Sequence, residues 1–90
     1  MERSHILVKG RVQQVGFRFY AREIALQTNV TGWVKNLPDG NVEIVVEGEK
    51  AQIEDFLQKL QEGYLGRNIS DIVRKTESYT GKFNYFDIAF

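Results

Sequence analysis

Apolar residues in this chain keep two different periods, and the order in which those periods follow one another leaves few folds open. From Phe17 to about Gln27, the residues Phe17, Tyr20, Ala21, Ile24 and Ala25 fall at i, i+3, i+4, i+7 and i+8, one face of a helix. Ile53, Phe56, Leu57 and Leu60 repeat the helical spacing, with Gly63 placed to end that helix. The segments around them read as strands. Ile6-Leu7-Val8 opens an apolar, β-branched run that ends near Gly10, and Thr31 to Leu37 carries Trp33 and Val34. Val42, Ile44 and Val46 alternate with Glu43, Val45 and Glu47, a strand with one face more polar. Pro38-Asp39-Gly40-Asn41 joins these last two strands, because proline presets φ and glycine or asparagine accepts φ > 0. Ile69 to Glu77 alternates loosely, and Phe86, Ile88 and Phe90 suggest a short closing strand. The order predicts an α+β ferredoxin-like sandwich, βαββαβ plus a short C-terminal strand, with two helices on one face of a mostly antiparallel sheet.

Length and composition narrow the chemistry. The 90 residues are expected to form one domain, residues 1–90, with no room for a second core. The chain has no cysteine, which removes disulfides, thiolate metal sites and a cysteine nucleophile. Its one histidine, His5, excludes a metal site with two imidazoles and a separate histidine acid and base. His5 precedes the apolar run and reads as a surface residue. Twelve basic and twelve acidic side chains cancel, whereas strong nonspecific nucleic-acid binding needs a basic excess. The apolar runs are too short to span a bilayer, and the first residues lack a secretory pattern. A cytoplasmic monomer is expected, without metal, cofactor, membrane or nucleic-acid partner.

The link between the first strand and the first helix is unusual. Gly10-Arg11-Val12-Gln13-Gln14-Val15-Gly16-Phe17-Arg18 holds no acidic residue, and none follows before Arg22. Helix starts favour Ser, Thr, Asp or Asn as the cap and Asp or Glu in the first turn. Here the first backbone N–H groups have no obvious side-chain acceptor. An anion bound at the helix start would supply one, and Arg18 could add a bidentate contact to phosphate oxygens. Water capping the helix, with Arg18 paired to a surface carboxylate, accounts for the same residues. Composition alone leaves both readings open. Arg11 and Arg22 read as surface residues. Asn36, just before the turn, either stabilises that turn or serves a site. The glutamates of the hairpin and Glu54-Asp55 make no persuasive carboxylate pair, and Asp55 with Lys59 reads as a surface i, i+4 pair.

Two motifs resemble those of the acylphosphatase family. The segment Gly10 to Arg18 resembles the signature G-x-V-Q-G-V-x-F-R, with Gln14 at the position of its middle glycine. Gly32-Trp33-Val34-Lys35-Asn36, then Gly40, Val42 and Gly48, resembles the partner motif. The resemblance implies hydrolysis of the carboxyl-phosphate anhydride of an acyl phosphate to a carboxylate and inorganic phosphate, with neither metal nor covalent intermediate. It gives Arg18 and the backbone of Gln13, Gln14, Val15, Gly16 and Phe17 the task of holding the phosphoryl group. It gives Asn36 the task of orienting the attacking water. Inorganic phosphate would bind as product or inhibitor. If the loop keeps its shape, Gln14 sits at φ > 0 at some cost.

The chemistry agrees with that implication. A carboxylate leaves readily, so the site needs no strong general acid, and a loose phosphoryl-transfer transition state asks mainly for positioning and charge. RNA-recognition domains share this element order, and Gly16-Phe17-Arg18-Phe19-Tyr20 superficially resembles their aromatic motif. That motif belongs on the third strand, where Val42 to Glu47 has no aromatic residue. A phosphate-binding regulatory domain without turnover would share the binding residues, but it has no need of Asn36 to orient water.

Overall fold

The computed structural model describes residues 1–90. In chain order it contains β1 (Glu2–Gly10), α1 (Phe17–Thr28), β2 (Thr31–Asn36), β3 (Val42–Gly48), α2 (Lys50–Glu62), a 3-10 turn (Gly66–Asn68), β4 (Ile69–Glu77) and β5 (Phe86–Ala89). The five strands form one sheet in the order β4-β1-β3-β2-β5. All neighbours are antiparallel except β2 and β5, which run parallel. The ferredoxin-like sandwich expected from the periods is the fold found.

One core holds it together. Ile6 and Val8 from β1, Val34 from β2, and Val42, Ile44 and Val46 from β3 meet Phe17, Ala21, Ile24 and Ala25 of α1 and Ile53, Phe56 and Leu60 of α2. Phe17 and Phe56 are both fully buried, and truncating such a residue to alanine costs about 3–5 kcal/mol. Because α1 starts on Phe17 and buries it, the turn before it is fixed against the sheet.

Two details differ from expectation. β1 starts at Glu2, four residues before its apolar run, because both of its edges are taken by β3 and β4. His5 lies within it, half-buried, with Nε2 2.6 Å from Glu43 Oε2. The second difference is β3, whose outward face is not simply polar. Val45 and Glu47 are both 1% exposed. The central position of β3 and the segment after β4 account for this: Thr80 donates to Glu47 from its amide (3.0 Å) and hydroxyl (2.8 Å), and the Gly81 amide donates at 3.0 Å. Arg3 completes the set at 3.3 Å. Burial alone would push the Glu47 carboxyl up, but these donors outweigh it and hold it below its ordinary value.

Gly63 does end α2, though not in the left-handed conformation common for such glycines. Its backbone is extended, and a Cβ there would lie 2.3 Å from the Tyr20 hydroxyl oxygen. Close helix packing requires the glycine.

Candidate active site

The segment from Arg11 to Gly16 carries the chain from the end of β1 to the start of α1, and both of its ends are tied down. Arg11 exchanges two hydrogen bonds with Asn68: its amide donates to the Asn68 carbonyl, and Asn68 Nδ2 donates back to its carbonyl, each at 3.0 Å. Farther along, Gln13 Nε2 donates to the carbonyls of Leu37 (2.7 Å) and Asn41 (2.8 Å). That one side chain clamps the loop to the β2–β3 turn, and so fixes its distance from Asn36 at the end of β2.

Between these anchors the backbone is left open. Gln14 has φ 62° and Gly16 has φ 79°, so the chain turns twice through the left-handed region before the helix. α1 has no side-chain cap and no acidic residue in its first turn. The Tyr20 amide is the first in the helix with a partner, the Gly16 carbonyl; the amides from Gln13 to Phe19 donate to no protein acceptor. Successive unpaired N–H groups at a helix start make a concave anion site, reinforced by the helix dipole.

Beside them is a cavity of about 220 Å³ lined by Val12, Gln14, Gly16, Phe17, Arg18, Phe19 and Asn36. Five of the seven residues expected at the site therefore share one cavity. Gln13 and Val15 belong to the same loop but are outside the cavity walls; Val15 packs against the core instead. Val12 and Phe19 line the cavity without having been expected there. Arg11, Arg22 and His5 do not reach it.

Arg18 does not pair with a surface carboxylate. Its Nη1 donates to the Ala89 carbonyl at 3.2 Å, and its guanidinium carbon stands 4.7 Å from the centre of the Phe90 ring. The parallel pairing of β5 with β2 brings this carbonyl to the site, since Ala89 is in register with Lys35, the neighbour of Asn36. One hydrogen bond and one ring hold the guanidinium, and its remaining donors are free for an anion.

Asn36 carries the most telling atom. Its Oδ1 is buried and has no hydrogen-bond partner, alone among the buried side-chain nitrogen and oxygen atoms of the protein. A buried acceptor left unpaired costs about 1–3 kcal/mol. It does not stabilise the turn that follows. There the Asn41 amide donates to Asp39 Oδ1, and the Leu37 amide donates to the Asn41 carbonyl.

An acylphosphatase family model matches residues 4–88. The chain belongs to the acylphosphatase family. It is 40% identical over 88 residues to an acylphosphatase of Pelotomaculum thermopropionicum, covering 98% of this chain and 96% of that one. It is 39% identical over 90 residues to one of Syntrophus aciditrophicus, covering 100% and 94% respectively. The crystal structure of acylphosphatase from Bacillus subtilis superposes with a TM-score of 0.92 at 33% identity, each chain covered completely. Full-length HypF, in a phosphate- and nucleotide-bound form, matches with a TM-score of 0.88 at 32% identity. That match covers 99% of this chain but 12% of HypF. The family gives this chain its activity, hydrolysis of acyl phosphates, and makes it a hydrolase acting on acid anhydrides.

Proposed function

We propose that the cavity at the start of α1 is where an acyl phosphate is hydrolysed, with Arg18 and the open amides of Gln13 to Phe17 holding the phosphoryl group and Asn36 orienting the water. The observation that carries this reading is the buried, unpartnered Oδ1 of Asn36 in the same cavity as Arg18 and an uncapped helix start. An acceptor there suits a water molecule, which can donate one hydrogen to Oδ1 and turn a lone pair towards phosphorus.

In the proposed reaction the phosphoryl oxygens accept hydrogen bonds from the loop amides and from the Arg18 guanidinium. The water oxygen forms a bond to phosphorus as the bond from phosphorus to the acyl oxygen breaks. The electron pair of the breaking bond leaves with the carboxylate, and a water proton passes to a phosphate oxygen. A carboxylate of low pKa needs no acid to protonate it as it departs. Charge stays on the equatorial oxygens, where Arg18 and the amides stand. Nothing in the scheme calls for a metal, a cofactor or a covalent intermediate.

The same reading takes residues 1–90 as one domain, acting as a monomer in the cytoplasm on a small acyl phosphate, with inorganic phosphate as product and inhibitor. It calls for no nucleic-acid or membrane partner, and the formal net charge of zero suits a small-molecule substrate better than a polyanion. Phosphate release from acetyl or benzoyl phosphate, with EDTA present, is the test. We expect turnover that chelation does not change and that inorganic phosphate inhibits competitively. Activity lost to the chelator and restored by a divalent ion would overturn the mechanism.

A further inference from the structure

Phe19 is a large apolar residue in the first turn of α1, yet it is 63% exposed, between Arg18 and the buried Tyr20. It belongs to two cavities at once. One is the site cavity with Arg18 and Asn36; the other, about 490 Å³, is a mostly apolar groove between the helices, walled by Tyr20, Ile24 and Tyr64. Tyr64 is 71% exposed and meets Tyr20 edge to face, with ring centres 5.2 Å apart. Phe19 is the wall that the two cavities share, and Tyr20 and Tyr64 lie beyond it in the groove. Single exposed aromatics need no explanation, but two that line one groove, one of them also lining the candidate site, mark a place for an apolar ligand.

An acyl phosphate has a second half. Once the loop and Arg18 hold the phosphoryl group, the acyl group must extend out of that small cavity. We propose that Phe19 receives the acyl group and that the groove beyond it selects uncharged apolar acyl groups, aromatic ones above all. This rests on the hydrolytic reading given above. Charge around the groove points the same way. Glu23 and Glu62 flank it, while the Lys59 ammonium is engaged by Asp55 at 3.0 Å. An acyl group ending in a second carboxylate would meet like charge.

The test is kcat/KM for acetyl, benzoyl and succinyl phosphate in the native chain, Phe19→Ala and Phe19→Leu, with phosphate affinity measured in each as a check on fold. We expect the benzoyl-to-acetyl ratio to fall roughly tenfold in Phe19→Ala, mainly through KM for benzoyl phosphate, with Phe19→Leu intermediate. Succinyl phosphate should be the poorest substrate of the native chain. If Phe19→Ala does not fold, the Leu variant carries the test, its ratio falling two- to threefold. Equal losses on acetyl and benzoyl phosphate would overturn the acyl assignment and leave the hydrolytic reading standing. A native chain that hydrolyses none of the three would remove both.

Discussion

Around Glu47 and around Arg18 the molecule treats polar groups in opposite ways. The Glu47 carboxylate is 1% exposed, and every donor that faces it is used: two from Thr80, one from Gly81 and one from Arg3. At the start of α1 the donors are just as dense, but the amides from Gln13 to Phe19 have no acceptor and Asn36 Oδ1 has no donor. The first arrangement is complete without a ligand; it stitches the segment after β4 to the face of the sheet. The second has donors and an acceptor to spare, which the proposed anion and water would fill. A closed polar network stabilises, and an open one of the same density marks a place for chemistry. The contrast is sharp because charge alone would pick the wrong region. Glu47 is the buried ionisable group with a displaced pKa, yet all its partners are structural.

Breaking the open site should have the largest effect. Arg18→Ala should lower kcat/KM on an acyl phosphate by about a thousandfold, roughly 4 kcal/mol of transition-state stabilisation, and weaken phosphate binding with it. Asn36→Ala should lower kcat by about a hundredfold while phosphate affinity stays close to native, since its proposed partner is water. Steady-state kinetics paired with phosphate titration separates the two. An Asn36 variant that kept its rate would return that residue to the turn it precedes.

The closed network should respond in stability instead of turnover. Glu47→Gln removes the buried charge and turns one acceptor oxygen into a donor facing the Thr80 and Gly81 donors, while Arg3 keeps Glu77 at 2.9 Å; it should cost about 2 kcal/mol in urea denaturation with kcat/KM preserved. The sign of the pH dependence follows from the direction of the shift. The Glu47 pKa is lower folded than unfolded, so its contribution is fully present above the ordinary value of 4.5 and is lost as pH falls through the depressed folded value. Acid should therefore weaken the native chain more steeply than Glu47→Gln below that point. Parallel acid profiles would show that the network does not behave as closed.

The contrast was only half legible in the sequence. Both helices followed from apolar periods and the strands from apolar runs, composition or alternation, because a core of this size forces its residues onto one face of each element. The proposed Arg18 site drew attention in the sequence through what that stretch lacked, an acidic or capping residue from Gly10 to Arg22, and through two motifs in a fixed order. The Glu47 network did not, since its donors come from residues 33, 34 and 44 positions away whose identity as Thr, Gly and Arg carries no signal. The clamp by Gln13 was hidden for the same reason: its acceptors are main-chain carbonyls 24 and 28 positions on, which any residue could supply. Phe19 was passed over because it falls off the apolar face of α1. That was the available signal, a large aromatic on the polar side of a helix beside the proposed phosphate ligand.

Inorganic phosphate sharpens the comparison at intermediate magnitude. It should occupy the open site and leave the closed one untouched. At a hundred times its dissociation constant, linkage gives about 2.7 kcal/mol of stabilisation. For a chain of this length that raises Tm by roughly 4–8 °C per kcal/mol. Scanning calorimetry against chloride at equal ionic strength checks it. The gain should persist in Glu47→Gln and vanish in Arg18→Ala. A gain lost in both would mean that the two regions are coupled through the sheet.

The smallest effect is expected at Gln14, where the open site carries its own strain. Its φ of 62° places a side-chain-bearing residue in the left-handed region, which costs about 1 kcal/mol. Gln14→Gly relieves that strain in the folded chain but also frees the unfolded one, which costs roughly 0.4–1 kcal/mol. The two oppose each other, so denaturation should show little net change. Phosphate affinity is the more telling measurement. Gly16 supplies the other positive φ of the turn, and Gln13 pins the loop from the side, so glycine at position 14 has little freedom to add. Affinity by calorimetry should be equal or slightly better. A several-fold loss would mean that the glutamine, strained as it is, holds the amides in place for the anion, and that even the open site depends on a fixed backbone.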